Sequence, residues 1–157
     1  MLSFWTKSAK VINHAYFSPG ETCLNAIITA INGAQSSLKI CVFTISDDRI
    51  TRAILQAYRN GIKVKILTDN EKLYDKGSDI RQLAQAGVPV RVDNTPNHMH
   101  HKFAIIDNQT VITGSYNWTR SAAMYNHENL IVTDEKTMVS DFCREFDRLW
   151  EEMVIFK

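Results

Sequence analysis

The chain has no surplus of either charge. Eighteen lysines and arginines stand against 17 aspartates and glutamates, a formal net charge of +1 at pH 7, so overall electrostatics gives no reason to choose nucleic acid over any other partner. Cysteine is scarce as well. Cys23, Cys41 and Cys143 are odd in number, far apart and set in apolar patterns, so they read as reduced core residues, not as disulfide partners or zinc ligands. Long apolar runs are missing, including from the amino-terminal "MLSFWTKSAKVINHAYF". That stretch offers neither a secretory apolar region nor a transmembrane segment. A cytoplasmic protein is the expectation, secreted or membrane-anchored only if an amino-terminal segment was removed. Internal repeats and low-complexity segments are also absent.

What is present is ordinary for a globular protein. Hydrophobic residues make up 45% and charged residues 22% of 157, enough for one domain with a sizeable core and too few for two. A single domain over residues 1–157, with its core at about 11–153, is expected.

The first half reads as alternating strands and helices. Val11 to Phe17 is a strand stopped by Ser18-Pro19-Gly20. Leu24, Ile27, Ile28 and Ile31 form one helical stripe that ends at Gly33. A buried strand follows at Leu38 to Ile45, then a helix opened by Ser46, Asp47 and Asp48, and a strand from Ile62 to Thr68. This βαβαβ order predicts an α/β fold: a mixed, mostly parallel central sheet with helices on both faces. Beyond a polar loop over 70–79 come a short helix at Ile80 to Ala86, a strand at Val88 to Val92, a strand at Asn129 to Thr133, and a final helix capped by Asp134.

Three histidines and a lysine crowd the stretch "HMHHKFAIIDNQTVITGSYNW". Two β-prone runs within it, His101 to Asp107 and Thr110 to Gly114, flank Asn108-Gln109, which suits a two-residue hairpin connection. In that register Lys102 faces Ser115 and His100 faces Asn117, so the four side chains share one face of the hairpin. Gly114 leaves room there for a ligand or another backbone. The set suits a phosphodiester: Lys102 beside the nonbridging oxygens, Ser115 and Asn117 as donors, and His100 as nucleophile or proton carrier. A second histidine must then protonate the leaving oxygen.

His100, Lys102, Asp107, Gly114, Ser115 and Asn117 also spell H-x-K-x4-D-x6-G-S-x-N. This pattern resembles the signature of the phospholipase D superfamily. "NHENLIV" and "FCREFDRLWEE" are similar to parts of its small single-motif members, which include bacterial endonucleases and a mitochondrial cardiolipin hydrolase. The resemblance covers roughly residues 12–153. It implies a phospholipase D-like fold, a phosphohistidine intermediate, no metal or other cofactor, and two motifs meeting at one site. Because one chain carries one motif, it implies a homodimer around a twofold axis at the active site. Glu128 matches an acidic position that, in the family, orients the histidine. A membrane segment and a cysteine-rich insertion of the mitochondrial relative are not visible here.

The candidate catalytic residues are therefore His100, Lys102, Ser115, Asn117, Glu128 and Asp107. For Asp107 a structural role at the turn is the better reading, since it lies at the far end of its strand. Gly114, Tyr116, Trp118 and Arg120 are candidate substrate contacts, with core packing an equal reading for Trp118. Lys72, Lys76 and Arg81 form a basic segment that could line an entrance. A zinc site at His98, His100 and His101 is the lesser reading, because Lys102 would stand beside the metal. The expected function is a metal-independent endonuclease acting on DNA or RNA. The alternatives are a phospholipase of the same superfamily acting on a phospholipid such as cardiolipin, and a noncatalytic nucleic-acid-binding module.

Overall fold

A computed structural model describes residues 11–156. The expectations about the amino-terminal ten residues lie outside the described residues. Eight strands build one sheet in the order β1-β7-β6-β5-β2-β3-β4-β8. In chain order these are β1 (Asn13–Phe17), β2 (Ser37–Val42), β3 (Lys63–Thr68), β4 (Val90–Val92), β5 (Lys102–Ile106), β6 (Thr110–Gly114), β7 (Asn129–Thr133) and β8 (Val154–Ile155). The helices are α1 (Thr22–Gly33), α2 (Asp48–Arg59), α3 (Ile80–Gln85), α4 (Arg120–Met124) and α5 (Lys136–Glu152).

The mixed α/β class is as expected, but parallel pairing is confined to the centre, where β2 meets β3 and β3 meets β4. Every other neighbouring pair is antiparallel. The reason is where β1 goes. It runs in the same sense as β2 but pairs with β7 at the far edge, so the first βαβ unit does not close a parallel pair.

Helices cover both faces because two separate apolar sets need cover. Leu24, Ile27 and Ile31 of α1, with Ile50, Ile54 and Ala57 of α2, pack on Leu38, Ile40, Ile66, Ala104 and Ile112. Val139, Phe146 and Leu149 of α5 pack on Cys41, Leu67, Phe103, Ile105 and Val111 of the other face. Consecutive residues of β5 thus alternate between the two cores, as strand geometry requires. Burying a Leu, Ile or Phe from these sets contributes about 1.5–3 kcal/mol each.

Two local differences from the sequence reading have simple causes. The cap of α5 is Glu135, whose carboxylate accepts the Thr137 and Met138 N–H groups, while Asp134 instead accepts the Ile12 N–H at 2.6 Å. The short α4 was not expected, since five residues leave too little periodicity to read; Thr119 caps it through the Ala122 N–H. The cysteines are free, with Cys23 and Cys41 buried and Cys143 partly so.

Candidate active site

The β5–β6 hairpin carries the site, in a register one residue away from the expected one. Ile106 pairs with Thr110 and Phe103 with Thr113, so the connection is the three-residue loop Asp107-Asn108-Gln109. Asp107 and Asn108 take positive φ values of 56° and 52°, a conformation that Asp and Asn tolerate better than most residues. The Gln109 N–H closes the turn on the Ile106 carbonyl at 2.9 Å.

This shift overturns the shared-face argument. Lys102 stands level with Gly114, and a straight continuation of β6 would send Ser115 to the opposite face. β6 ends at Gly114, however, where a side chain would lie 2.2 Å from the Asn129 carbonyl oxygen of β7. The room at Gly114 is thus filled by backbone, not by a ligand. Past it the Ser115 N–H donates to the Asn129 carbonyl and the Ser115 hydroxyl bonds to the Glu128 carboxylate. Strand ends, not strand parity, hold this group.

His100 and Lys102 sit at the other side of that end. The Lys102 ammonium lies 3.0 Å from His100 Nδ1 and donates to the His100 carbonyl at 2.6 Å. Phe43, just beyond β2, supplies the platform: its ring centre is 4.5 Å from that of His100. The same ring lies 5.1 Å below the Lys102 and Lys72 ammonium groups. Burial, followed by the charge of Lys102, holds the His100 imidazole below its ordinary pKa. Burial likewise lowers Lys102, opposed by Glu128, whose carboxylate couples electrostatically to this ammonium. The shift at His100 favours its uncharged form.

The remaining expected residues divide. The Asn117 Oδ1 is buried with no hydrogen-bond partner among the described residues. Within the chain Glu128 bonds to Ser115 and to the Asn126 amide, not to His100. Arg120 is exposed at the rim, 3.8 Å from Asp48. Tyr116 and Trp118 are corrections: at 0% and 1% exposure they belong to the core beneath the site and have no free face for a base. Asp107 is a second correction to the catalytic set. It lies at the opposite end of β5, where its carboxylate accepts the N–H groups of Gln35, Ser36 and Ser37 and the Ser36 hydroxyl. Burial would raise its pKa, but these donors outweigh burial and hold it low.

Sequence reading overlooked Phe43 and Asp69. Their signal was positional: both immediately follow parallel strands at their carboxyl ends, where open α/β sheets place ligands. Three carboxylate or imidazole groups, Asp69, Glu71 and His98, lie close enough to hold a cation. The histidine set His98, His100 and His101 does not form such a cluster among the described residues.

The sheet and its His–Lys pair at the strand ends are of the phospholipase D type, and the sequence comparisons agree. The family model described as "Cardiolipin synthase, PLD-like domain" matches residues 27–150, so the chain belongs to the phospholipase D superfamily. It is 41% identical over 138 residues to the mitochondrial cardiolipin hydrolase of Chlamydomonas reinhardtii, covering 88% of this chain and 62% of that protein. To the human mitochondrial cardiolipin hydrolase it is 40% identical over 133 residues, covering 85% and 53%. The chain thus spans between half and two thirds of these relatives. Among solved structures, Nuc from Salmonella typhimurium, a phospholipase D family member, superposes with a TM-score of 0.86 at 27% identity, covering 94% of this chain and 99% of that one. NucT from Helicobacter pylori gives 0.84 at 30%, covering 94% and 100%.

Proposed function

We propose that the chain hydrolyses phosphodiester bonds through a phosphohistidine on His100, without a metal ion, in a site completed by a second copy of the chain. The observation that carries this reading is the His100–Lys102 pair, an imidazole held 3.0 Å from an ammonium. An anionic substrate draws the Lys102 ammonium onto a nonbridging oxygen. His100 Nε2 then attacks phosphorus, which requires the ring proton on Nδ1 and an acceptor for it. As the N–P bond forms, the P–O bond to the leaving group breaks and a second imidazole protonates that oxygen. Water next attacks phosphorus, gives its proton to that imidazole, and releases His100. Lys102, Ser115 and Asn117 meet the charge on the phosphoryl oxygens.

One chain supplies one such histidine, and its Glu128 turns toward Ser115. A twofold-related copy supplies the second imidazole and places a Glu128 carboxylate within reach of His100. Exposed apolar side chains support this: Phe17, Met124, Tyr125 and Ile131 are 64%, 53%, 72% and 41% exposed around the Ser115–Glu128 pair.

Nucleic acid is the substrate class we favour, supported by Lys72, which lies over the same Phe43 ring as Lys102, and by the full-length likeness to Nuc and NucT. A phospholipid such as cardiolipin is the second reading. It is favoured by the names of the mitochondrial relatives and by a groove of about 470 Å³ beside His100, floored by Met99, Leu149 and Met153. Turnover of labelled oligonucleotides and of cardiolipin vesicles in excess chelator separates them; strict dependence on added divalent metal would overturn the mechanism. In mixtures with His100→Ala chains, heterodimers are expected to show near-zero turnover or a trapped phosphohistidine. Heterodimers at half the wild-type rate would overturn the shared site.

A further inference from the structure

Asp69 is a fully buried carboxylate at the end of β3. Asp47, equally buried, is neutralised by the Arg49 guanidinium at 2.7 Å. Asp69 has no lysine or arginine within ion-pair distance among the described residues, and an unpaired buried charge is costly unless donors surround it. Its donors come from the strand end that carries the site. One oxygen accepts the Met99 N–H at 2.9 Å and stands 3.3 Å from His98 Nδ1. The other accepts the Glu71 N–H at 3.0 Å. The His98 ring meets Phe43 edge-on at 5.5 Å, and Phe43 packs on His100 at 4.5 Å.

We infer that Asp69 is a positioning residue for His100. It pins the Met99 backbone and the His98 ring, and through the His98–Phe43 contact it fixes where the His100 imidazole stands. The groups acting on His100 are Lys102 and His101 from its own strand end, His98, and Asp69 from β3. The first three oppose its protonation and Asp69 favours it. Lys72, over the same Phe43 ring, adds a further cation nearby. This placement holds whatever the substrate; its consequence for turnover rests on the proposed role of His100.

The test is an NMR titration of the His100 ring, with steady-state kinetics, in wild type, Asp69→Asn, His98→Gln and the control Asp79→Asn, whose buried carboxyl bonds to Thr51 away from the site. Asparagine keeps the size and drops the charge, so the His100 midpoint is expected to fall in Asp69→Asn. General loosening would instead raise it toward the ordinary histidine value. kcat is expected to drop about tenfold with KM within about twofold, as for partners that orient a reacting group. In His98→Gln, half-exposed and so safe for folding, the midpoint should rise while kcat falls. Asp79→Asn should change neither. Unchanged midpoints in both Asp69→Asn and His98→Gln overturn the inference while leaving the phosphodiesterase reading intact. The expected shifts alongside full activity of His100→Ala would overturn that reading and keep the placement. Should Asp69→Asn not fold, the rise and loss in His98→Gln decide alone, and their absence overturns the inference.

Discussion

The two ends of strand β5 make an instructive contrast. At one end His100 and Lys102 face open space, with their mutual contact, Phe43 beneath them and few other partners. At the other, five residues on, the Asp107 carboxylate is saturated by backbone and hydroxyl donors from the α1–β2 connection. Both ends belong to one sequence signature, and they do opposite jobs. Polar groups whose bonding is complete hold a fold together; polar groups left incomplete are free to meet a substrate.

The sharpest way to break the contrast is His100→Ala. Turnover should fall about a thousandfold or more, since the nucleophile is lost, while the unfolding free energy from denaturant curves stays within about 0.5 kcal/mol of wild type, as for other exposed sites. Wild-type turnover, or a large loss of stability, would erase the difference between the two ends.

Asp107→Asn should do the reverse. It leaves N–H donors facing an amide, costing about 2 kcal/mol of stability at neutral pH, with activity per folded molecule retained. The pH dependence has a definite sign. Because the folded carboxyl is held below its ordinary value, its stabilisation is complete above the unfolded value of about 3.9 and is lost as pH falls through the folded one. Urea curves for wild type and variant should therefore converge on acidification; a gap that does not narrow as pH falls below about 3.9 would contradict this.

Tyr116→Phe should change least. The hydroxyl is buried without a partner, and burial pushes its pKa up, so its removal is neutral or stabilising by about 0.5 kcal/mol. Lost turnover in this variant would return Tyr116 to the substrate contacts from which its burial removes it.

How far the sequence reached follows from what each inference needed. The helix stripes of α1 and α2, the strand order through β4 and the identity of the His–Lys pair came from local periodicity and spacing, which fix faces and neighbours along one element. Membership of the superfamily rested on six residues in one short span, equally local. The hairpin register did not follow, because Asp107 was counted in the strand and its left-handed backbone is not written in hydropathy. Tyr116 and Trp118 looked like site residues for the same reason: adjacency in sequence says nothing about which way a chain turns once it leaves a sheet.

The sequence by itself determined which chemical groups are present, most of the helices and strands that carry them, and the motif that marks the family. Tertiary structure alone decided that β1 crosses to the far edge, that Glu128 reaches Ser115, that Phe43 packs on His100, and that Asp69 accepts the Met99 N–H. Those contacts join residues from about a dozen to more than a hundred positions apart, and their energy comes from burial shared among elements, a quantity no single stretch of chain contains.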